Sequence, residues 1–206
     1  MTKELKELTG KKTKMKSGLM LGVNPNVKRQ EEDFYATEPK ALEIFLEKLY
    51  DDNIVLKNVW ECACGQGHLA QVLMERRLLE MATDIIDRGY KPYFRQLDFL
   101  NVDFTHNGDI LTNPPFKLAE EFVENGMEIL EKDGNKLILF LKIQFLEGQK
   151  RKKLFQKYPP KYVYVNSARQ LCAKDGEFEK YTATTQFYAW YVWEKGWSGE
   201  TVIRWI

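Results

Sequence analysis

The chain has 206 residues, 44% hydrophobic and 30% charged, with 31 Lys or Arg against 30 Asp or Glu for a formal net charge of +1. That length suits one domain with a sizeable core. No uninterrupted apolar run approaches the roughly 20 residues that cross a bilayer, and MTKELKELTG holds no apolar signal core, so a soluble, cytoplasmic protein is expected.

The charge is unevenly spread. Residues 1–29 carry eight Lys or Arg against two Glu, whereas the remaining 177 residues hold 23 basic and 28 acidic side chains. A basic arm, residues 1–29, therefore precedes a mildly acidic body, residues 30–206, read as a single domain. Composition alone leaves two readings of the arm open, a nucleic-acid contact or a solvated tail. Cys62, Cys64 and Cys172 are too few and too closely paired to staple a secreted fold. The only histidines are His68 and His106, so no zinc-type ligand spacing exists; no metal is expected, and the cysteines read as small buried residues.

Along the body, Leu42, Phe45, Leu46 and Leu49 recur at helical spacing behind Pro39, which suits a first turn; an amphipathic helix is predicted there. Short apolar runs then alternate with helix-length segments: NVWECA, LEMATDI, FRQLDFL, DILTNPP, NKLILFL, KYVYVNS and QFYAWYVWE. This alternation predicts an α/β fold with a mostly parallel sheet, helices on both faces, and the last two runs as an antiparallel edge hairpin. The tyrosines and tryptophans of the last run, Tyr188, Trp190, Tyr191 and Trp193, read as packing on its two faces. In such sheets ligands bind beyond the carboxyl ends of the strands. Those ends carry ECACGQGHLA, Asp84, Asp98 and Asn113-Pro114-Pro115-Phe116.

The first of these leads from strand to helix through Gly65 and Gly67, which permit a tight turn and a close backbone approach. The third glycine of a dinucleotide fingerprint is missing and no phosphate loop occurs, which disfavours pyrophosphate cofactors. Asp84 stands where a carboxylate accepts ribose hydroxyls. With Glu61 before the loop and Asp98 beyond it, the acidic set suits a cationic, phosphate-free cofactor, and S-adenosylmethionine is such a molecule.

Taken in order, ECACGQG, ATDIIDRGY, LDF and NPPF resemble the class I S-adenosylmethionine-dependent methyltransferases, specifically the adenine-N6 DNA methyltransferases with an Asn-Pro-Pro-Phe motif. The resemblance runs from about residue 33 to 195 and implies a Rossmann-like, seven-stranded sheet. Upstream, DFYATEPKAL resembles the family's Asp-x-Tyr-x-Thr-Pro segment, except that Glu38 follows the threonine and Pro39 comes one residue later. The cofactor contacts implied are Tyr35, Thr37, Glu61, Cys62, Ala63, Gly65, Gly67, Asp84, Ile85, Asp98, Phe99 and Asn113. Three of these keep alternatives: Glu61 faces the methionine amine or caps the loop, Asp98 meets the cofactor adenine or caps a turn, and Tyr35 packs on cofactor, target or helix start. His68 reads as a helix-surface residue.

An exocyclic amine conjugated to a purine is a poor nucleophile, so it must be held in line with the methyl donor and enriched in electron density. The resemblance implies that the Asn113 side-chain oxygen and the Pro114 carbonyl accept its two N–H bonds, Pro114 and Pro115 stiffen the loop, and Phe116 stacks on the flipped base. Neither proline is followed by cysteine, so the covalent route of cytosine carbon-5 chemistry is not implied. The short chain and its Glu-Gly-x-Lys-Arg segment at 147–151 look most like small phage or prophage enzymes. DNA is the expected partner, with Lys150, Arg151, Lys152, Lys153 and Arg169 as phosphate contacts and a long loop over 166–186 as a lid. RNA adenine, protein glutamine and a module that binds without turnover remain open. With few residues after WYVWEKG, no separate target-recognition domain is expected.

Overall fold

The computed structural model describes residues 35–180 and 185–206; the basic arm assigned to residues 1–29 lies outside them. In chain order the described elements are β1 (Tyr35–Thr37), α1 (Pro39–Asp51), β2 (Val59–Glu61), α2 (His68–Glu75), β3 (Leu79–Asp84), β4 (Phe94–Gln96), β5 (Ile110–Thr112), α3 (Ala119–Ile129), β6 (Lys136–Lys142), α4 (Arg151–Lys157), β7 (Tyr162–Val165), β8 (Cys172–Lys174), β9 (Tyr188–Glu194) and β10 (Val202–Trp205). Helix α1 forms as its sequence predicts. Pro39 opens the first turn, where its missing N–H leaves no bond unmade, and Leu42, Phe45, Leu46 and Leu49 form the buried stripe.

The central sheet has the order β10-β7-β9-β6-β5-β2-β3-β4. Strands β6, β5, β2, β3 and β4 run parallel, and β9 pairs antiparallel with both β6 and β7. The last two predicted runs, β7 and β9, pair antiparallel as expected. One expectation needs correction: among the described residues the sheet has eight strands rather than seven, because one more strand is added outside β7. The outer edge is β10, which lies parallel to β7. Its Trp205 is 68% exposed, so no buried apolar face announces this strand in the sequence. It is fastened by the β7 backbone and by Arg204, whose Nη1 reaches Asp52 Oδ1 at 2.6 Å, the carboxylate that also accepts the Tyr164 hydroxyl at 2.7 Å.

Because β6 and β9 are central, alternate residues feed two separate cores. Leu137, Leu139, Leu141, Tyr191 and Trp193 pack with Phe122, Val123 and Met127 of α3. Ile138, Phe140, Trp190 and Val192 pack with the apolar stripe of α1 and with Leu69, Val72 and Leu73 of α2. The tyrosine and tryptophan pairs of β9 thus divide between the two faces, as predicted. Apart from this sheet, β1 and β8 form a two-stranded antiparallel ribbon, with Tyr35 opposite Lys174 and Thr37 opposite Cys172. Among the described residues, no helix is long and apolar enough to cross a membrane.

Candidate active site

Strand β5 lies beside β2 at the point where the chain, having built β3 and β4 on one side, returns to build the other. In open α/β sheets such a reversal leaves a crevice at the carboxyl ends of the strands. A cavity of about 400 Å³ opens there, walled by Tyr35, Thr37, Glu61, Cys62, Ala63, Asp84, Ile85, Asp98 and Phe99 together with Asn113, Pro114, Pro115 and Phe116. Residues from five separate stretches of sequence thus meet at one site.

Glu61 ends β2 and is 2% exposed. It accepts the Ala70 N–H, its Oε2 has no partner, and burial, with the Asp84 charge adding to it, pushes its carboxyl well above the ordinary range. Beyond it the chain turns tightly, with Gly67 N–H donating to the Cys64 carbonyl at 2.7 Å. Asp84, at the end of β3, accepts Gly65 N–H at 2.8 Å and Ile86 N–H at 3.0 Å. This carboxylate therefore ties the glycine loop to the neighbouring strand while still facing the cavity.

The two glycines serve the turn rather than the cavity wall. Both have positive φ, 56° at Gly65 and 86° at Gly67, and neither lines the cavity. At Gly67 an added Cβ would run into the Tyr90 ring, so the missing side chain makes room for an aromatic core residue. Burial pushes the Cys62 and Cys64 thiols up, away from the reactive thiolate form. Among the described residues, no group of three or more His, Cys, Asp or Glu is placed to hold a metal ion.

Asp98 follows β4 and caps the short turn Phe99–Asn101, accepting Leu100 N–H at 3.0 Å and the Asn101 amide at 2.5 Å. It lines the cavity as well, so capping and facing a ligand are combined in one side chain. Phe99 is buried beside it, and Ile85 stands 59% exposed at the rim. His68 does not sit on a free helix surface: it opens α2, lines the cavity and meets the Phe178 ring edge-on at 5.3 Å.

At the end of β5, the Asn113 Nδ2 donates to the Tyr35 carbonyl at 2.8 Å. That bond fixes the amide's orientation and leaves Oδ1 buried with no partner. The prolines carry the chain out of the strand into a short turn closed by Leu118 N–H on the Pro115 carbonyl at 2.8 Å, and Phe116 begins that turn. The Phe116 ring lies near parallel to Tyr35 (centroids 6.5 Å, interplanar angle 26°) and to Tyr188 (5.9 Å, 29°), with Lys142 Nζ 4.9 Å from its centroid. Lys142 was not among the residues read from sequence, and Tyr188 was read only as a packing residue. Lys142 is the last residue of β6, so extending the strand-end rule by one strand finds it.

The segment expected to form a lid contributes β8, which pairs with β1, and then bends so that Gly176 packs against Gln66 and His68. It borders the glycine loop and, through β1, the Tyr35 carbonyl that holds Asn113. The basic segment divides in two. Arg151 is committed internally: Nε meets Glu120 Oε1 at 3.1 Å, and Nη1 donates to the carbonyls of Gln144 (2.9 Å), Phe145 (3.2 Å) and Glu147. Nε and Nη1 thereby fasten the start of α4. Lys150, Lys152 and Lys153 are exposed. Arg169 is also exposed, with its guanidinium 5.1 Å from the centroid of the Phe187 ring.

No protein-family model and no curated protein matches the chain. Solved structures do. One described as a candidate class I S-adenosylmethionine-dependent methyltransferase from Listeria monocytogenes superposes with a TM-score of 0.58 at 14% identity, covering 92% of this chain and 69% of that one. The methyltransferase subunit of a type I restriction-modification system from Streptococcus thermophilus gives 0.59 at 14% identity, over 84% of this chain and 47% of that one. A candidate RNA methyltransferase from Pyrococcus horikoshii gives 0.50 at 12% identity, over 75% and 83%. The chain has the class I methyltransferase fold, α/β and Rossmann-like, with one strand more at its edge than the seven expected.

Proposed function

We propose that this protein is an S-adenosylmethionine-dependent methyltransferase acting on the exocyclic N6 amine of adenine in DNA. Asn113 carries the reading. Its Oδ1 is a buried acceptor without a donor, held in that orientation by the Nδ2 bond to Tyr35, on a residue that lines the strand-end cavity. A buried acceptor left unmade costs about 1–3 kcal/mol, a cost that a substrate N–H removes.

The residues fit the cofactor. The partnerless Glu61 Oε2 suits an ammonium group, Asp84 keeps acceptor capacity for ribose hydroxyls beyond its two backbone bonds, and Ile85, Asp98 and Phe99 suit an adenine. When bound, S-adenosylmethionine would supply an electrophilic methyl on sulfonium, with the neutral thioether as leaving group to the adenine nitrogen. Asn113 Oδ1 draws an amine proton towards itself and so raises density on nitrogen, and the Pro114 carbonyl is assigned the second N–H. Phe116 provides the floor for the base. The methylated amine then loses one proton to water. DNA is favoured by exposed Lys150, Lys152 and Lys153, by the basic arm, and by the fold shared with a restriction-modification methyltransferase subunit.

The test supplies methyl-labelled S-adenosylmethionine with duplex DNA, single-stranded DNA, total RNA and cell protein in separate reactions. Label is expected in DNA as N6-methyladenine. Asn113→Ala is expected to abolish transfer while calorimetry still detects cofactor binding; full turnover in that variant sinks the clamp. Label confined to RNA or protein keeps the clamp chemistry and replaces the substrate.

A further inference from the structure

The two edges of the central sheet meet their surroundings differently. Strand β4, at one edge, is three residues long and presents exposed Arg95 and Gln96, a short polar edge of the kind that discourages further pairing. Strand β10, at the other, has Val202, Ile203 and Trp205 at 44%, 48% and 68% exposure. Its one charge, Arg204, is turned back onto Asp52, it holds neither lysine nor proline, and its register with β7 is unbroken, so the usual guards of an edge are missing. The backbone points the same way. Val202 N–H donates to the Lys161 carbonyl at 3.0 Å and Ile206 N–H to the Val165 carbonyl at 3.0 Å, so the strand repeat turns the N–H and C=O groups of Ile203 and Trp205 away from β7. Among the described residues no second strand meets them.

Such a row of donors and acceptors along an apolar strand takes an extended polypeptide. We propose that the occupant is β10 of a second copy of this chain, paired antiparallel about a two-fold axis at Ile203. Ile203 then exchanges both backbone bonds with the partner's Ile203, Val202 lies opposite the partner's Arg204, and Thr201 opposite the partner's Trp205. Charge selects this register. A pair centred on Arg204 would oppose two guanidinium groups, whereas one centred on Ile203 sets Arg204 diagonal to the partner's Glu200, an exposed carboxylate with no ion pair among the described residues. The formal net charge of +1 adds little repulsion between copies. Because β10 runs parallel to β6 and β5, the antiparallel pair points the two strand-end cavities in opposite directions, and each copy keeps a complete site.

Sedimentation of the full chain over a rising concentration series is expected to move from the monomer mass to twice that value. Trp205→Lys, which puts a cation on the edge, and Ile203→Pro, which removes an N–H that β7 does not use, are each expected to hold the protein at the monomer mass with an unchanged far-UV spectrum. Cross-linking reads the register without relying on those variants. Residues in a hydrogen-bonded antiparallel pair have Cα atoms about 5.5 Å apart, within disulfide reach. Ile203→Cys is expected to give a reductant-sensitive covalent dimer on mild oxidation, Trp205→Cys alone none, and Thr201→Cys combined with Trp205→Cys again a dimer. The wild type, with Cys62 and Cys64 buried and Cys172 partly so, is the control. A chain that stays monomeric at every concentration, whether its edge is bare or covered by its own basic arm, overturns the proposal. So does a dimer that both edge variants leave intact, or one cross-linked through Trp205→Cys and not through Ile203→Cys.

Discussion

Replacing Glu61 by Gln separates what this side chain does for a ligand from what it costs the fold. Its carboxyl is 2% exposed, accepts the Ala70 N–H, leaves Oε2 unmatched, and is pushed up first by burial and then by Asp84. An acid whose folded pKa exceeds its unfolded one binds its proton more tightly in the native state. Stability is then full below the unfolded value, about 4.3, and falls by about 1.4 kcal/mol per pH unit as pH rises toward the folded value. Gln keeps an acceptor for Ala70 and carries no charge, so the slope vanishes in the variant. Urea unfolding of the cofactor-free proteins is expected to give matching stabilities near pH 4.5 and a Gln variant more stable by about 1.4 kcal/mol for each unit above, until Glu61 ionises. The same carboxylate must be charged to hold an ammonium group. Wild-type cofactor affinity should therefore climb with pH over that window and then level, while the Gln variant binds weakly at every pH. A variant no more stable than wild type near neutrality, or one that binds the cofactor normally, refutes the assignment.

Two further substitutions test the packing roles. Gly67→Ala forces a side chain into a positive-φ position and against Tyr90, and should cost at least about 2 kcal/mol in urea unfolding. Adding Tyr90→Ala should recover the steric part, giving a coupling of about 1 kcal/mol or more in the double-mutant cycle. Arg151→Ala removes the bonds to Glu120 and to the carbonyls at 144, 145 and 147. It should lower stability by about 1–3 kcal/mol without changing the salt dependence of DNA binding. Lys152→Ala and Lys153→Ala should do the reverse, each reducing the slope of log affinity against log salt by about one.

The places of the candidate groups were legible in the sequence because each sits at the end of a strand whose apolar run is local. Glu61, Asp84, Asp98 and Asn113 follow such runs, and the reversal of strand order brings them to one cavity. Their roles were less legible, because a role depends on a partner distant in sequence. The orientation of Asn113 is fixed by a carbonyl 78 residues away. Strands β1 and β8 are three residues each and exist only through each other, so neither carries a periodic signal of its own. The sequence around Gly67 does not announce that its bare face packs on Tyr90, nor does the run of like charges around Arg151 announce its bonds to Glu120 and three carbonyls. The same logic bears on the clamp. Tyr35 holds Asn113 through its backbone and faces Phe116 through its ring, while its strand is pinned by a ribbon partner whose following loop rests on Gln66 and His68 beside the glycine loop. A change at 172–178 should therefore disturb the orientation of Asn113 and the cofactor cavity together.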